Sequence, residues 1–210
     1  MGELKRSEKL AISSLIIVPL VWFVIFVVKP FNFWGEMSIA ILFLGSIAVV
    51  ADRKLLSLSL KKLTLRNILV GIGSAIILYF IFYVGNIVSG YLFPFKDAQI
   101  TSVYSNRSQG SSVFIGFLLL FIIGPGEEIY WRGFIQNTLS KKFGENKGYV
   151  IATLLYAGVH IITFNFMLIV AALVCGIFWG WIYKKERNIV TIIISHALWD
   201  LIIFVLFPLM

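Results

Sequence analysis

Six ionisable side chains stand inside stretches of sequence that are otherwise apolar, where an unpaired charge is costly. They are Glu127, Glu128, Arg132, His160, His196 and Asp200. A carboxylate beside imidazoles can take a proton from a water molecule that attacks a carbonyl, while imidazole N–H groups stabilise the developing oxyanion. The residue types therefore predict one polar site suited to hydrolysis. The alternative is that these side chains only fasten helices together by hydrogen bonds.

Helical spacing assigns different roles to the charged residues of the first stretch. Glu128 and Arg132 are four positions apart, so they share a helix face and can form an ion pair. Glu127 points about 100° away from its neighbour and cannot share that arginine easily. We expect Glu127 to face a cavity, where it is free to transfer protons.

The other two stretches carry polar residues with the same spacing. His196 and Asp200 are four positions apart, which allows the carboxylate to orient or charge the imidazole. Tyr156 lies one turn before His160 and shares its face. The sequence thus adds an acid and a supporting tyrosine to the predicted site.

The composition of the chain identifies the class of protein that carries this site. Of the 210 residues, 60% are hydrophobic and only 13% are charged, and the mean hydropathy is +0.95. The surface of a single water-soluble globule of this size cannot accommodate so much apolar material. Cys175 is the one cysteine, so no disulfide within the chain can form. We infer an integral membrane protein rather than a soluble enzyme, a disordered chain or a disulfide-stabilised secreted domain.

Apolar runs between charge clusters predict an all-α, polytopic transmembrane helix bundle with about seven spans. The predicted spans are Ala11–Val28, Met37–Ala51, Ile68–Phe93, Ser112–Ser140, Tyr149–Thr163, Phe164–Tyr183 and Ile189–Phe207. Gly124-Pro125-Gly126 is expected to divide the fourth span into two pieces. The whole chain, 1–210, forms one membrane domain, in which 112–207 is the motif-bearing core and 1–111 carries no recognised motif.

The distribution of basic residues predicts the orientation in the membrane. Fifteen of the eighteen Lys and Arg residues fall on one side of the predicted spans and three on the other. The positive-inside rule then places the N-terminus in the cytoplasm and the C-terminus outside. The same asymmetry accounts for the net charge of +8 without nucleic acid as a partner. We expect a multi-pass protein of the cell membrane whose surroundings are the lipid bilayer.

The predicted spans also place the six polar residues at a common depth. At about 1.5 Å of rise per residue, all of them fall between the cytoplasmic interface and the middle of the membrane. Helix direction alternates along the chain, so this agreement is not automatic. The polar groups of three separate spans can therefore converge.

Three short motifs resemble those of the CAAX protease and bacteriocin-processing family, also called the Abi family. The segment from Glu127 to Arg132, Glu-Glu-Ile-Tyr-Trp-Arg, resembles the family's EExxxR motif. Tyr156-Ala-Gly-Val-His160 resembles its FxxxH motif, with tyrosine in place of phenylalanine. His196-Ala-Leu-Trp-Asp200 resembles its HxxxN motif, with aspartate in place of asparagine. The resemblance covers about 114–207.

The resemblance implies an intramembrane endopeptidase similar to the enzymes that trim prenylated CAAX proteins. In that family the first glutamate, here Glu127, activates water with help from the histidine of the second motif, here His160. The third motif, here His196 and Asp200, would form the oxyanion site. Glu128 and Arg132 would be supporting residues.

Asp200 is the departure from the family pattern. An ionised carboxylate only accepts hydrogen bonds, so Asp200 cannot donate to an oxyanion as an amide does. It can instead orient His196, keep it cationic, or itself be protonated. Zinc is an alternative, with Glu127, His160, His196 and Asp200 as ligands, but we favour a mechanism without metal.

These observations predict a peptidase that cuts a membrane-associated peptide or protein from the cytoplasmic side. One alternative is a non-enzymatic membrane partner on the same fold, such as a bacteriocin-immunity or scaffolding protein. Another is a proton-coupled transporter, which would also place Glu and His at mid-membrane. A transporter predicts an internal repeat, and we find none in the sequence.

Overall fold

The computed structural model describes residues 5–52 and 59–209, and this part of the chain is almost entirely helical, without a β-strand. The helices are α1 (Arg6–Val28), α2 (Phe33–Ala51), α3 (Leu65–Leu92), α4 (Lys96–Tyr104), α5 (Ser112–Phe143), α6 (Glu145–Gly158), α7 (Phe166–Glu186) and α8 (Ile189–Leu206). The prediction of an all-α helix bundle is confirmed.

Six of the described helices are long and apolar enough to cross a membrane, namely α1, α2, α3, α5, α7 and α8. The predicted span Tyr149–Thr163 is instead the short helix α6, which has 14 residues. At about 1.5 Å per residue α6 is shorter than the roughly 30 Å hydrocarbon layer. A turn of 3₁₀-helix, Ile161–Thr163, and the left-handed residue Phe164 then reverse the chain inside the apolar run.

Five of the six described spanning helices begin at polar caps, and several reverse through tight turns. Side chains accept backbone N–H groups at the starts of five helices; these caps are Asn32, Thr64, Ser111, Asn165 and Asn188. The reversal between α5 and α6 uses Gly144, whose φ of 85° favours glycine. Arg187, with a φ of 52°, reverses the chain between α7 and α8. Such short connections make α5 and α6, and α7 and α8, antiparallel neighbours.

Helix α5 is continuous but irregular where it carries the predicted site. Wide π-helical turns occur at Leu119–Ile123 and Ile129–Gln136, on either side of the segment Gly124–Glu128. Pro125 lacks a backbone donor, and wider turns let the helix continue past it. The expected division at Gly124-Pro125-Gly126 is therefore wrong. The π-helical turns change the helical register on both sides of Glu127 and Glu128.

The bundle has two chemically different ends. Most of the described Lys and Arg residues gather where α1, α3 and α6 begin and where α5 and α7 end, which we call the basic end. Ion pairs there include Arg66 with Glu186 at 2.6 Å and Arg187 with Glu145. The opposite end is covered by α4 and the following turn, residues 96–109, which we call the roof.

Helices α3 and α8 pack closely through small residues. A Cβ added at Gly71 of α3 would lie 2.9 Å from the side chain of Ile194 and from the backbone oxygen of Thr191. One turn later, the hydroxyl of Ser74 donates a hydrogen bond to Ser195 at 2.9 Å. This close approach holds α8, and with it His196, in position.

We expect Gly71→Leu to destabilise the protein, because the new side chain would force α3 and α8 apart. Overpacking of this kind costs about 1–3 kcal/mol. The matched control is Gly73→Leu on the same helix, since nothing lies within 4 Å of a Cβ added there. Thermal unfolding in detergent would measure both variants, and equal midpoints would contradict the packing described here.

Candidate active site

One cavity of about 440 Å³ brings the predicted catalytic residues together. Glu127, His160, His196 and Asp200 all line it, as does Tyr156. The remaining lining is mainly aliphatic and aromatic side chains of α2, α3, α4, α7 and α8. Three helical stretches distant in sequence thus present polar groups to one space.

His196 lies between two carboxyl groups. Its Nδ1 is 2.6 Å from Oε1 of Glu128, and its Nε2 is 3.5 Å from Oδ2 of Asp200. The indole of Trp179 stacks on the imidazole, with ring centres 3.8 Å apart. Ionised carboxylates only accept hydrogen bonds, so both nitrogens of His196 are donors when both acids are ionised. The surroundings therefore favour a positively charged imidazolium.

Glu128, which is not among the residues that line the cavity, holds this histidine in place. Its Oε1 also accepts a hydrogen bond from Nη1 of Arg132 at 2.7 Å, so the predicted ion pair is present. The guanidinium lies over the ring of Tyr156 at 4.5 Å and donates to the backbone oxygen of Cys175 at 3.4 Å. Glu128 is fully buried. It acts as a common acceptor for a cation on its own helix and for the histidine of α8.

The contacts of His160 determine which of its nitrogens carries the proton. Nδ1 lies 2.9 Å from the backbone oxygen of Tyr156, which can only accept. Nε2 receives the indole N–H of Trp22 at 3.3 Å. The imidazole is therefore neutral, with its proton on Nδ1 and its lone pair on Nε2. In this arrangement His160 has no N–H left to donate to an oxyanion.

Glu127 is the acid of the site that lacks a cationic partner among the described residues. The hydroxyl of Tyr156 donates to its Oε2 at 3.2 Å. Glu127, Glu128 and Asp200 supply three carboxyl groups, whereas Arg132 and a charged His196 supply two positive charges. One carboxylate is left uncompensated, and Glu127 is the one without an ion pair.

Two tryptophans complete the site, and sequence reasoning missed both. Trp22 of α1 and Trp179 of α7 are fully buried. Neither lies in a motif, and α1 belongs to the spans for which the sequence offers no functional signal. An indole N–H in an apolar helix needs a buried partner, which is the only sign that could have drawn attention to Trp22.

The polar groups of the described residues are not arranged as a zinc site in this structure. No group of three or more His, Cys, Asp or Glu residues with suitable geometry occurs in the described part of the chain. Both nitrogens of His160 are already engaged by Tyr156 and Trp22. Only Nε2 carries a lone pair in this tautomer, so His160 would have to exchange its bond from Trp22 to become a zinc ligand.

The fold and site define a polytopic helical membrane protein with a buried acid–histidine centre. Residues 109–202, which contain all three motifs, match the model of a family described as Type II CAAX prenyl endopeptidase Rce1-like. The resemblance to the CAAX protease and bacteriocin-processing family that the motifs indicated is confirmed over these residues, and the matched family is that of CAAX-type intramembrane proteases. No curated protein and no solved structure matches the chain significantly.

We expect Arg132→Leu to destabilise the protein strongly, because it leaves Glu128 buried with less compensating charge. Removing one partner of a buried ion pair costs about 3–5 kcal/mol. The matched control is Lys141→Leu, which breaks the pair with Asp52 at the basic end, where the two side chains are 69% and 34% exposed.

Exposed pairs contribute about 1 kcal/mol or less, so the control should unfold close to wild type. Denaturant unfolding in mixed micelles compares the two substitutions. An equal loss of stability in both would contradict the anchoring role of Arg132.

Proposed function

We propose that the protein is an intramembrane endopeptidase that hydrolyses a peptide bond of a membrane-associated peptide or protein. The observation that carries the proposal is the shared cavity, on which Glu127, His160, His196 and Asp200 converge. Glu127 is suited to be the base because it faces this cavity without a cationic partner among the described residues. The family match supports the same reaction class.

The reaction begins with a water molecule beside Glu127. The carboxylate accepts one proton of this water as its oxygen bonds to the carbonyl carbon of the substrate. His160 can orient the water by accepting its second hydrogen at Nε2, in exchange for the bond from Trp22. The proton held by Glu127 then passes to the leaving nitrogen, and the C–N bond breaks to give a carboxylic acid and an amine.

The negative charge that develops on the carbonyl oxygen needs a donor fixed in advance. His196 is that donor in our proposal, because Glu128 and the stacked Trp179 hold its imidazole in place. Asp200 is a positioning residue: it faces Nε2 of His196 and favours the charged ring. A cation in a dry site stabilises an oxyanion far better than it does in water.

We expect Glu127→Gln to abolish cleavage while the protein still inserts and folds. Glutamine can keep the hydrogen bond from Tyr156 but cannot take a proton from water, and loss of a general base costs about 10²–10⁴-fold in rate. Mass spectrometry of the peptides in membranes from cells producing wild type or Glu127→Gln measures the difference. The control is Glu145→Gln, an exposed acid at the basic end.

Identical peptide pools from the wild type and the Glu127→Gln variant would refute the peptidase. A biological effect of the protein that survives in that variant would then favour a non-enzymatic membrane partner. Loss of peptides in the Glu145→Gln control would show that the effect is not specific to the site.

Substitutions of Asp200 test the departure from the family pattern. We expect Asp200→Asn to retain activity, because an amide oxygen still accepts a hydrogen bond from His196 and its NH₂ can donate to an oxyanion. We expect Asp200→Leu to lose activity, since it can do neither. Rates of peptide release would measure both variants, and full activity of Asp200→Leu would remove this residue from the mechanism.

A further inference from the structure

The catalytic cavity extends from Glu127 toward the roof and away from the basic end. Its walls are the last turns of α3 and α8 and the first turns of α2 and α7, together with the underside of α4. All of these segments lie in the half of the bundle next to the roof. This differs from the expectation that the site is reached from the basic, cytoplasmic side.

A layer of large side chains closes the site toward the basic end. The layer consists of Tyr130, Trp131 and Trp179, and no more than 1% of the surface of each residue is exposed. The hydroxyl of Tyr130 donates to Ser14 of α1 at 3.0 Å, so this layer is also tied across helices. A peptide arriving at the basic end would meet this packed layer before it reached Glu127.

The roof is fastened to three helices. Gln99 accepts hydrogen bonds from the side chain of Asn165 and the backbone N–H of Met167, both at the start of α7. The hydroxyl of Tyr104 donates to the backbone oxygen of Ile203 in α8 at 2.9 Å. The indole N–H of Trp34 in α2 donates to the backbone oxygen of Asn106. These bonds hold the roof over the end of the cavity that lies away from the basic end.

An opening in the side of the bundle remains between α3 and α7. The two helices are joined at their ends, by Arg66 with Glu186 at the basic end and by Phe93 with Phe166 below the roof. Between these contacts, one face of α3 both lines the cavity and is exposed; it consists of Ile81, Gly85, Val88 and Leu92. Half-buried residues of α7 line the cavity opposite; they are Met167, Val170, Ala171 and Val174. We call this opening the lateral window.

The lining of the cavity is apolar apart from a few uncharged polar groups and the catalytic residues. No Lys or Arg is among the described residues that line it, and its only acids are Glu127 and Asp200. Outside the catalytic residues, an apolar wall without Lys or Arg suits an apolar chain rather than a charged loop or an anionic headgroup. The window opens within the apolar length of α3 and α7, where the surrounding medium is lipid.

We propose that the substrate is a membrane-embedded peptide whose apolar segment enters sideways through the lateral window, from the half of the membrane next to the roof. The proposal rests on the proposed function and names the substrate class of the same site. By the positive-inside rule the roof faces away from the cytoplasm. The window therefore accepts segments from the outer leaflet, and a tail lying on the cytoplasmic surface meets the closed end.

Bulky substitutions at the two rims of the window test this route. Gly85→Trp narrows the opening from α3, and Ala171→Trp narrows it from α7. Val84→Trp and Ile177→Trp are the matched controls, because these residues are exposed on the same helices and do not line the cavity. With membrane peptides measured as above, each rim variant should release them about tenfold more slowly, since a narrowed path lowers the association rate. The controls should match wild type.

The outcomes separate this proposal from the peptidase itself. Wild type that releases no more peptide than Glu127→Gln would overturn both. Cleavage by wild type together with unchanged rates in the rim variants would overturn the lateral window alone. Ala171→Trp gives an independent test should Gly85→Trp fail to insert. Equal slowing in the control variants would also count against the window.

The leaflet assignment is tested without any activity. In a Cys175→Ser background, Ser102→Cys reports on the roof and Lys147→Cys on the basic end; both positions are exposed. A membrane-impermeant maleimide added to intact cells should label the cysteine at 102 directly and the one at 147 only after permeabilisation. The reverse pattern would overturn the assignment of the window to the outer leaflet.

Discussion

The arrangement of the site depends on the balance of charge around Glu128. A carboxylate in the interior of a helix bundle is tolerated only when cations and hydrogen-bond donors surround it. Arg132 and His196 meet at its Oε1, which ties α5 to α8. Arg132 compensates the charge of Glu128, and Asp200 compensates that of a charged His196. Glu127 then remains as the excess negative charge. The group that we propose as the proton acceptor is thus the one that the surrounding network leaves uncompensated.

Interactions within one helix could be predicted from the sequence, and those between helices could not. The ion pair of Glu128 with Arg132 follows from a spacing of four residues. The bond of Glu128 to His196 depends on the rotation and relative height of two helices, which the period of either helix leaves undetermined. The same holds for Trp22 and His160, whose partnership explains why an N-terminal span without a motif takes part in the site.

The boundaries of the spans and the direction of the cavity show the same limit. The predicted boundary between Thr163 and Phe164 agrees with the observed turn. No charged residue separates 149–183, so the sequence offers no sign that α6 ends after 14 residues. Residue counting placed the polar groups at one depth, in keeping with the cavity they share. Residue counting could not show on which side of the polar site large aromatic residues pack. Such residues, namely Tyr130, Trp131 and Trp179, pack between the site and the basic end.

A site closed toward the basic end must receive its water from the same cavity as its substrate. An apolar segment that occupies the window displaces most of that water and leaves only what the polar groups retain. Glu127, His160 and Tyr156 offer acceptors and a donor for one such molecule. Removing the rest lowers the local dielectric, which strengthens the attraction between His196 and an oxyanion. In the proposed reaction, binding of an apolar substrate would therefore favour catalysis itself, because it excludes water from the site in which the charged imidazole stabilises the oxyanion.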